Sequence, residues 1–229
     1  MSAKKMGGAG LRGQSAGETS ICTVGVSGSG LTYRGYDVVD LAENTTFEEV
    51  AYLLLHEKLP NSEELKNYIE KLKSLRGLQP ELRNALEGIP KTAHPMDVLR
   101  TGCSLLGNLE QEEGFLNQTD HADRMLSAFP SILNYWYQFS HHGKRIDTET
   151  NDDTIGGHFL HLLHGKKPSQ LHKQVMSVSL ILYAEHEFNA STFAARVCAS
   201  TLSDIHSAVT SAIGTLRGPL HGGANEAAS

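Results

Sequence analysis

The stretch Thr46-Phe-Glu-Glu-Val-Ala-Tyr-Leu-Leu-Leu55 decides the fold class. Phe47, Val50, Ala51, Leu54 and Leu55 stand at i, i+3, i+4, i+7 and i+8, the spacing of one helix face, and Thr46 with Glu49 makes a capping box in front of them. Pro60 ends that helix. Asn61, Glu63 and Glu64 open another, with Leu65, Tyr68, Ile69, Leu72 and Leu75 on one face, until Gly77 and Pro80 stop it. The same period predicts helices over Glu81–Leu86, Pro95–Leu106, Ala122–His141, Ile155–His164, Leu171–Ser200 and Ser203–Leu216, with no strands between them. Pro130 removes an amide donor from the third of these and predicts a kink or a split. Ahead of the helices, Ile21–Tyr36 holds two short β-prone runs around a Gly/Ser cluster, which predicts a hairpin. Its glycines, Gly25, Gly28 and Gly30, do not follow the G-x-G-x-x-G order of a nucleotide loop. The expected fold is mainly α, a large helical domain over 20–229 behind a flexible tail over 1–19.

Composition bounds the function. The chain has 229 residues, 39% of them hydrophobic and 20% charged, enough to fold and to bury a core. Lys and Arg number 20 against 26 Asp and Glu, so the net charge of -6 argues against nucleic acid as a partner. No apolar run reaches the ~18 residues of a membrane span. Met1–Ser20 carries Lys4, Lys5 and Arg12 but lacks the apolar middle of a secretory signal, so a cytoplasmic location is expected. Cys22, Cys103 and Cys198 are odd in number and far apart, and are expected to be buried thiols.

Twelve histidines raise a metal reading first. His158, His161 and His164 recur at i+3 steps, but no carboxylate follows at i+4, and a structural helix is the expectation. His186-Glu187 begins like the zinc motif H-E-x-x-H, yet Ala190 stands where the second His belongs. His186 follows the apolar run Leu180–Tyr183 and lies between Glu185 and Glu187, where a helix turns polar; a carboxylate-bonded core histidine is one reading of it. His221 sits in Gly218-Pro-Leu-His-Gly-Gly-Ala-Asn225, where glycines let a ligand approach and a helix is expected to start at Asn225. Next to that positive helix end the ring should stay neutral and donate to a developing oxyanion, which suits carbonyl polarisation; a turn histidine at a helix cap is the equal alternative.

Together these segments resemble a known family. Y-A-E-H-E-F-N-A-S-T-F (Tyr183–Phe193) and R-G-P-L-H-G-G-A-N-E (Arg217–Glu226) resemble the two histidine motifs of the citrate synthase family. Tyr33-Arg-Gly-Tyr-Asp37, His94-Pro-Met-Asp97 and Tyr135-Trp-Tyr137 resemble it as well. Within the family, T-E-T-N-D-D-T-I-G-G-H-F-L-H-L-L-H (Thr148–His164) is most similar to the 2-methylcitrate synthases of propionate metabolism.

The resemblance implies a mostly helical homodimer, with a large and a smaller mobile domain, that condenses propionyl-CoA or acetyl-CoA with oxaloacetate. It implies no metal and no redox cofactor. His221 matches the histidine that donates to the thioester carbonyl, and His186 matches one that holds oxaloacetate, with Asn189 assisting. Tyr183, placed one helical turn before His186, is expected to line the acyl pocket, a core tyrosine being the plainer alternative. The family's general-base Asp, second catalytic His, carboxylate-binding arginines and CoA loop match nothing up to Ser229. The expectation is therefore a large domain without its small domain, inactive as a 229-residue polypeptide. The alternatives are a citrate synthase using acetyl-CoA and a noncatalytic helical dimerisation module.

Overall fold

The computed structural model describes residues 16–25 and 30–223. Strands β1 (Cys22–Val24), β2 (Leu31–Tyr33) and β3 (Tyr36–Asp37) form one antiparallel sheet in the order β1-β2-β3, with Cys22 opposite Tyr33 and Tyr33 opposite Tyr36. The expected hairpin is thus extended by a third strand. The turn from β2 to β3 is Arg34-Gly35, both at positive φ (49° and 88°), which matches the twist of a two-residue hairpin. Gly28 and most of the expected tail lie outside the described residues.

Ten α-helices follow among the described residues: α1 (Val38–Asn44), α2 (Phe47–His56), α3 (Ser62–Ser74), α4 (Pro80–Glu87), α5 (Pro95–Leu109), α6 (Gln118–His142), α7 (Ile155–His164), α8 (Gln170–Leu182), α9 (Ala190–Ala199) and α10 (Ile205–Leu216). The expected capping box of Thr46 with Glu49 forms, and Asn61 with Glu64 makes a second. The buried face of α2 runs through Phe47, Val50, Ala51 and Leu53, whereas Leu54 is half-buried and Leu55 exposed. Leu53 wins because α2 also packs towards α8, which turns the apolar stripe by about one position.

Two hydrophobic clusters hold the chain together. One gathers Leu82 and Leu86 of α4, Val98, Cys103 and Leu106 of α5, Met125, Ile132 and Trp136 of α6 and Ile213 of α10. The other joins Cys22 and Tyr33 of the sheet to α1, α2 and α3, with Ile155 of α7 and Ile181 of α8. The helix α6 serves both, since its Leu126 packs on the second cluster.

Two expectations about helix limits are corrected. Pro130 does not split α6, which runs unbroken through it. Neighbouring helices enclose α6, Pro130 itself is buried, and packing of this extent outweighs one missing hydrogen bond; the Pro130 carbonyl meanwhile accepts from Asn134 Nδ2 at 2.8 Å. The single helix expected over Leu171–Ser200 is two, α8 and α9, separated by the link Tyr183–Asn189. Asn189 caps α9, its Oδ1 accepting from the backbone of Ser191 and Thr192 at 3.1 and 3.0 Å, and Glu187 is left-handed at φ 55°.

Two of the three histidines in the α7 row, His158 and His161, are engaged in structural contacts, while His164 is exposed. His158 is buried between the hydroxyls of Ser131 (3.1 Å) and Thr150 (3.0 Å), and His161 Nδ1 lies 2.5 Å from Asp152 Oδ2. Among the described residues no three His, Cys, Asp or Glu side chains group to hold a metal ion. Cys22 and Cys103 are buried free thiols as expected, but Cys198 is half-exposed because α9 has no fully buried side chain. No described helix is long and apolar enough to cross a membrane.

Candidate active site

The α9–α10 pair brings the two histidine-bearing segments together. α9 packs along α10, so the N-terminal cap of α9 faces the turn that follows α10. That turn is tight: His221 N and Gly223 N donate to the Gly218 carbonyl at 3.0 and 3.4 Å, and Gly222 N donates to the Leu216 carbonyl at 3.1 Å. A Cβ on Gly222 would fall 2.1 Å from the Leu216 oxygen, so only glycine fits there. The helix expected from Asn225 lies outside the described residues.

His221 is half-buried, and its Nε2 lies 2.9 Å from Ser191 Oγ. Ser191 Oγ is also 2.8 Å from Asn189 Oδ1. A hydroxyl has one proton to give, so two arrangements follow. Donated to Asn189, it leaves Ser191 to accept Nε2–H, and His221 Nδ1 is then an acceptor. Donated to Nε2, it leaves the proton of a neutral ring on Nδ1, which becomes a donor. Asn189 Oδ1 keeps its two backbone N–H partners either way, so the hydroxyl is free to turn.

The sequence singled out His221 and Asn189 but not Ser191. Its only signal was its place as the third residue of Asn189-Ala-Ser191, two after the cap. Asn189 is engaged throughout, its Nδ2 donating to Thr192 Oγ1 at 3.0 Å, so it acts on its surroundings by setting the start of α9.

His186 is exposed in the link between α8 and α9 and makes no side-chain hydrogen bond among the described residues. It is not the carboxylate-bonded core histidine of the simpler reading. Glu185 beside it is half-buried; burial pushes its carboxyl above the ordinary range, opposed by the His186 backbone N–H and the Arg196 charge. Arg196 stands over the Phe188 ring at 4.5 Å. Tyr183 is the C-cap of α8 and 71% exposed, so it is no core tyrosine, and because the helix stops before it, no helical turn relates it to His186.

A cleft of about 450 Å³ adjoins the His221 turn, lined by His94, Pro95, Met96, Leu216, Arg217 and the glycines 222 and 223. His94 caps α5, its Nδ1 accepting from Met96 N at 3.1 Å, and Arg217 Nε lies 3.4 Å from Asp97 Oδ2. These contacts tie the turn to the start of α5. The H-P-M-D segment therefore belongs to the same neighbourhood as the second histidine motif.

Comparison with known proteins agrees with this arrangement. The sequence model described as "Citrate synthase, C-terminal domain" matches residues 10–229. A 2-methylcitrate synthase of Shewanella oneidensis is 74% identical over 99% of this chain and 60% of its own length. Citrate synthase 2 of Bacillus subtilis is 42% identical over 86% of this chain and 54% of its own. Among solved structures, citrate synthase of Thermoplasma acidophilum, in a ternary complex with carboxymethyl coenzyme A and oxaloacetate, superposes with a TM-score of 0.89 at 30% identity, covering 96% of this chain and 58% of that one. The chain thus spans about 60% of the length of the curated relatives it matches. With the matched segments extending from the sheet to the His221 turn, the chain belongs to the citrate synthase family.

Proposed function

We propose that the whole protein is a 2-methylcitrate synthase, which condenses propionyl-CoA with oxaloacetate and releases CoA. The observation that carries this reading is the joining of the two histidine segments through Ser191 and His221, 2.9 Å apart. The α-carbon of a thioester gives up a proton only when the charge arriving on the carbonyl oxygen meets a placed donor. With the Ser191 hydroxyl turned to Nε2, His221 offers that donor from Nδ1. A base removes the α-proton, and the carbon so formed attacks the keto carbon of oxaloacetate. Water then cleaves the thioester and CoA leaves as a thiol.

His186 holds oxaloacetate, its exposed ring standing where a substrate can reach it. Asn189 assists by fixing the start of α9, and the exposed Tyr183 lines the acyl pocket. The base and the CoA loop that the family resemblance implies match no residue of this sequence. No metal or redox cofactor enters, because the His221 imidazole supplies the polarising hydrogen bond and no electrons are exchanged.

The protein works as a homodimer. In support, α8 and α9 leave Leu171, Val175, Leu182 and Val197 exposed. A cytoplasmic location fits three cysteines that remain free thiols.

The test is thiol release from propionyl-CoA by the full-length gene product, with and without oxaloacetate. Release that requires oxaloacetate is expected; none from a folded dimer would leave a noncatalytic helical module. A second reading, citrate synthesis from acetyl-CoA, is favoured by the 42% identity to citrate synthase 2 of B. subtilis. One methylene is worth only about 1–3 kcal/mol in a pocket, so the two thioesters are to be compared at equal concentration.

A further inference from the structure

We propose that the N-terminal sheet is part of the oxaloacetate site, with Tyr33 and Glu187 as positioning residues that fix where His186 stands. This rests on the reading of His186 as the oxaloacetate-holding histidine.

The link Tyr183–Asn189 is held at both sides of His186 and left open at His186 itself. Tyr33 is fully buried, and its hydroxyl donates to the Ile181 carbonyl at 2.8 Å, in the last turn of α8. The same oxygen accepts from Glu185 N at 3.4 Å. One phenol therefore clamps the end of α8 and the residue before His186. On the other side, Glu187 Oε1 accepts from Val24 N of β1 at 2.9 Å, across 163 positions of sequence. Glu187 also adopts the left-handed conformation at φ 55°, which a residue with a Cβ rarely takes and keeps only where its surroundings impose it. The next residue, Phe188, lies under Arg196 and packs against Gly17, where an added Cβ would stand 3.2 Å from the ring.

The sheet thus contributes two strands to this anchoring, β1 through Val24 and β2 through Tyr33. Neither strand carries a residue of the histidine motifs. Their effect on a substrate runs through the direction in which His186 leaves the chain, and a misplacement of about 1 Å is enough to weaken a placed interaction severely.

The experiment measures oxaloacetate affinity of the full-length protein by titration calorimetry without acyl-CoA, and KM against kcat by thiol release. Parent, H186A, Y33F, E187A and E187Q are compared, with circular dichroism and melting temperature as controls for folding. H186A is expected to weaken oxaloacetate at least tenfold. Y33F and E187A are expected to raise the oxaloacetate KM about fivefold to tenfold, with kcat changed less than twofold. E187Q keeps the accepting oxygen and is expected to restore the affinity to within twofold of the parent.

If H186A weakens binding but Y33F and E187A leave KM within twofold while lowering the melting temperature, the two residues are only structural and the proposal is overturned. If E187Q behaves like E187A, the Val24 bond is not the cause and the Glu187 half is overturned. If H186A binds oxaloacetate as the parent does, the reading of His186 fails, and the proposal with it. Should Y33F not fold, E187A against E187Q decides alone, because Glu187 is half-buried at the surface of the link.

Discussion

The hydroxyl of Ser191 lies between two polar partners: Asn189 Oδ1 at 2.8 Å and, thirty positions away in the other motif, His221 Nε2 at 2.9 Å. Which one receives the proton decides whether His221 Nδ1 can donate. A lost hydrogen bond of this kind is worth about 1–1.5 kcal/mol, or roughly tenfold in rate. In the full-length protein S191A is therefore expected to lower kcat for oxaloacetate-dependent thiol release about tenfold, with KM for propionyl-CoA little changed. An unchanged kcat would mean that Ser191 does not set the ring.

Acid should loosen the fold through His158. Burial pushes its pKa down to about 3, and the Arg76 charge adds to this, so the folded ring is neutral where the unfolded one, near 6.5, takes up a proton. The contribution is complete above pH 6.5 and is lost as pH falls from there towards about 3. One proton gives a slope of about 1.4 kcal/mol per pH unit. H158Q, which does not titrate, is expected to fall less steeply in urea denaturation between about pH 6.5 and 4. Parallel curves would remove His158 as the cause.

Two helical glycines should respond in opposite ways to alanine. A Cβ on Gly102 of α5 would stand 2.7 Å from Ile132 Cγ2, so G102A is expected to cost about 1–3 kcal/mol by forcing α5 from α6. At Gly214 of α10 the nearest atom is Arg100 Cδ at 3.7 Å, an ordinary contact. G214A is expected to stabilise by about 0.5–1 kcal/mol, through helix propensity alone. Urea midpoints of the two variants measure both, and equal signs would contradict the packing geometry.

Asp152 anchors a charged knot beneath α7 and α8. It is 2% exposed, with Oδ2 against His161 and Oδ1 3.0 Å from Lys173 Nζ. Burial alone would raise its carboxyl, but the bonds from His161 and Lys173 prevail and hold it below the ordinary range. D152N leaves the Lys173 ammonium without its partner, and a loss of about 3 kcal/mol in denaturant stability is expected. A loss under about 1 kcal/mol would show the knot to be well solvated.

Much of this was legible in the sequence where side-chain chemistry acts locally. Thr46 and Asn61 marked helix starts that the structure keeps, because a cap works through its own few neighbours, whereas Pro80, read as a stop, is the first residue of α4. The break at Tyr183–Asn189 was hidden. The left-handed turn at Glu187 needs no glycine when β1 holds its carboxylate, and that bond spans 163 positions. Pro130 misled for a related reason, since its local cost is overruled by helices distant in sequence. In the site, the histidines were visible because their motifs are distinctive. Ser191 was not, because a serine near a helix cap has a sufficient local explanation and its second partner is on another segment.

The contrast between α6 and α9 has a consequence in time. α6 contributes buried residues along nearly its whole length, whereas α9 contributes no fully buried one and is fastened mainly along α10. Amide protons of α6 should therefore exchange with solvent only through global unfolding, and those of α9 through cheaper local openings. Ser191 rides on that looser helix. Any contact that quiets α9 also restrains the Ser191 hydroxyl beside His221, and hydrogen–deuterium exchange would record it as a slowing of the α9 amides.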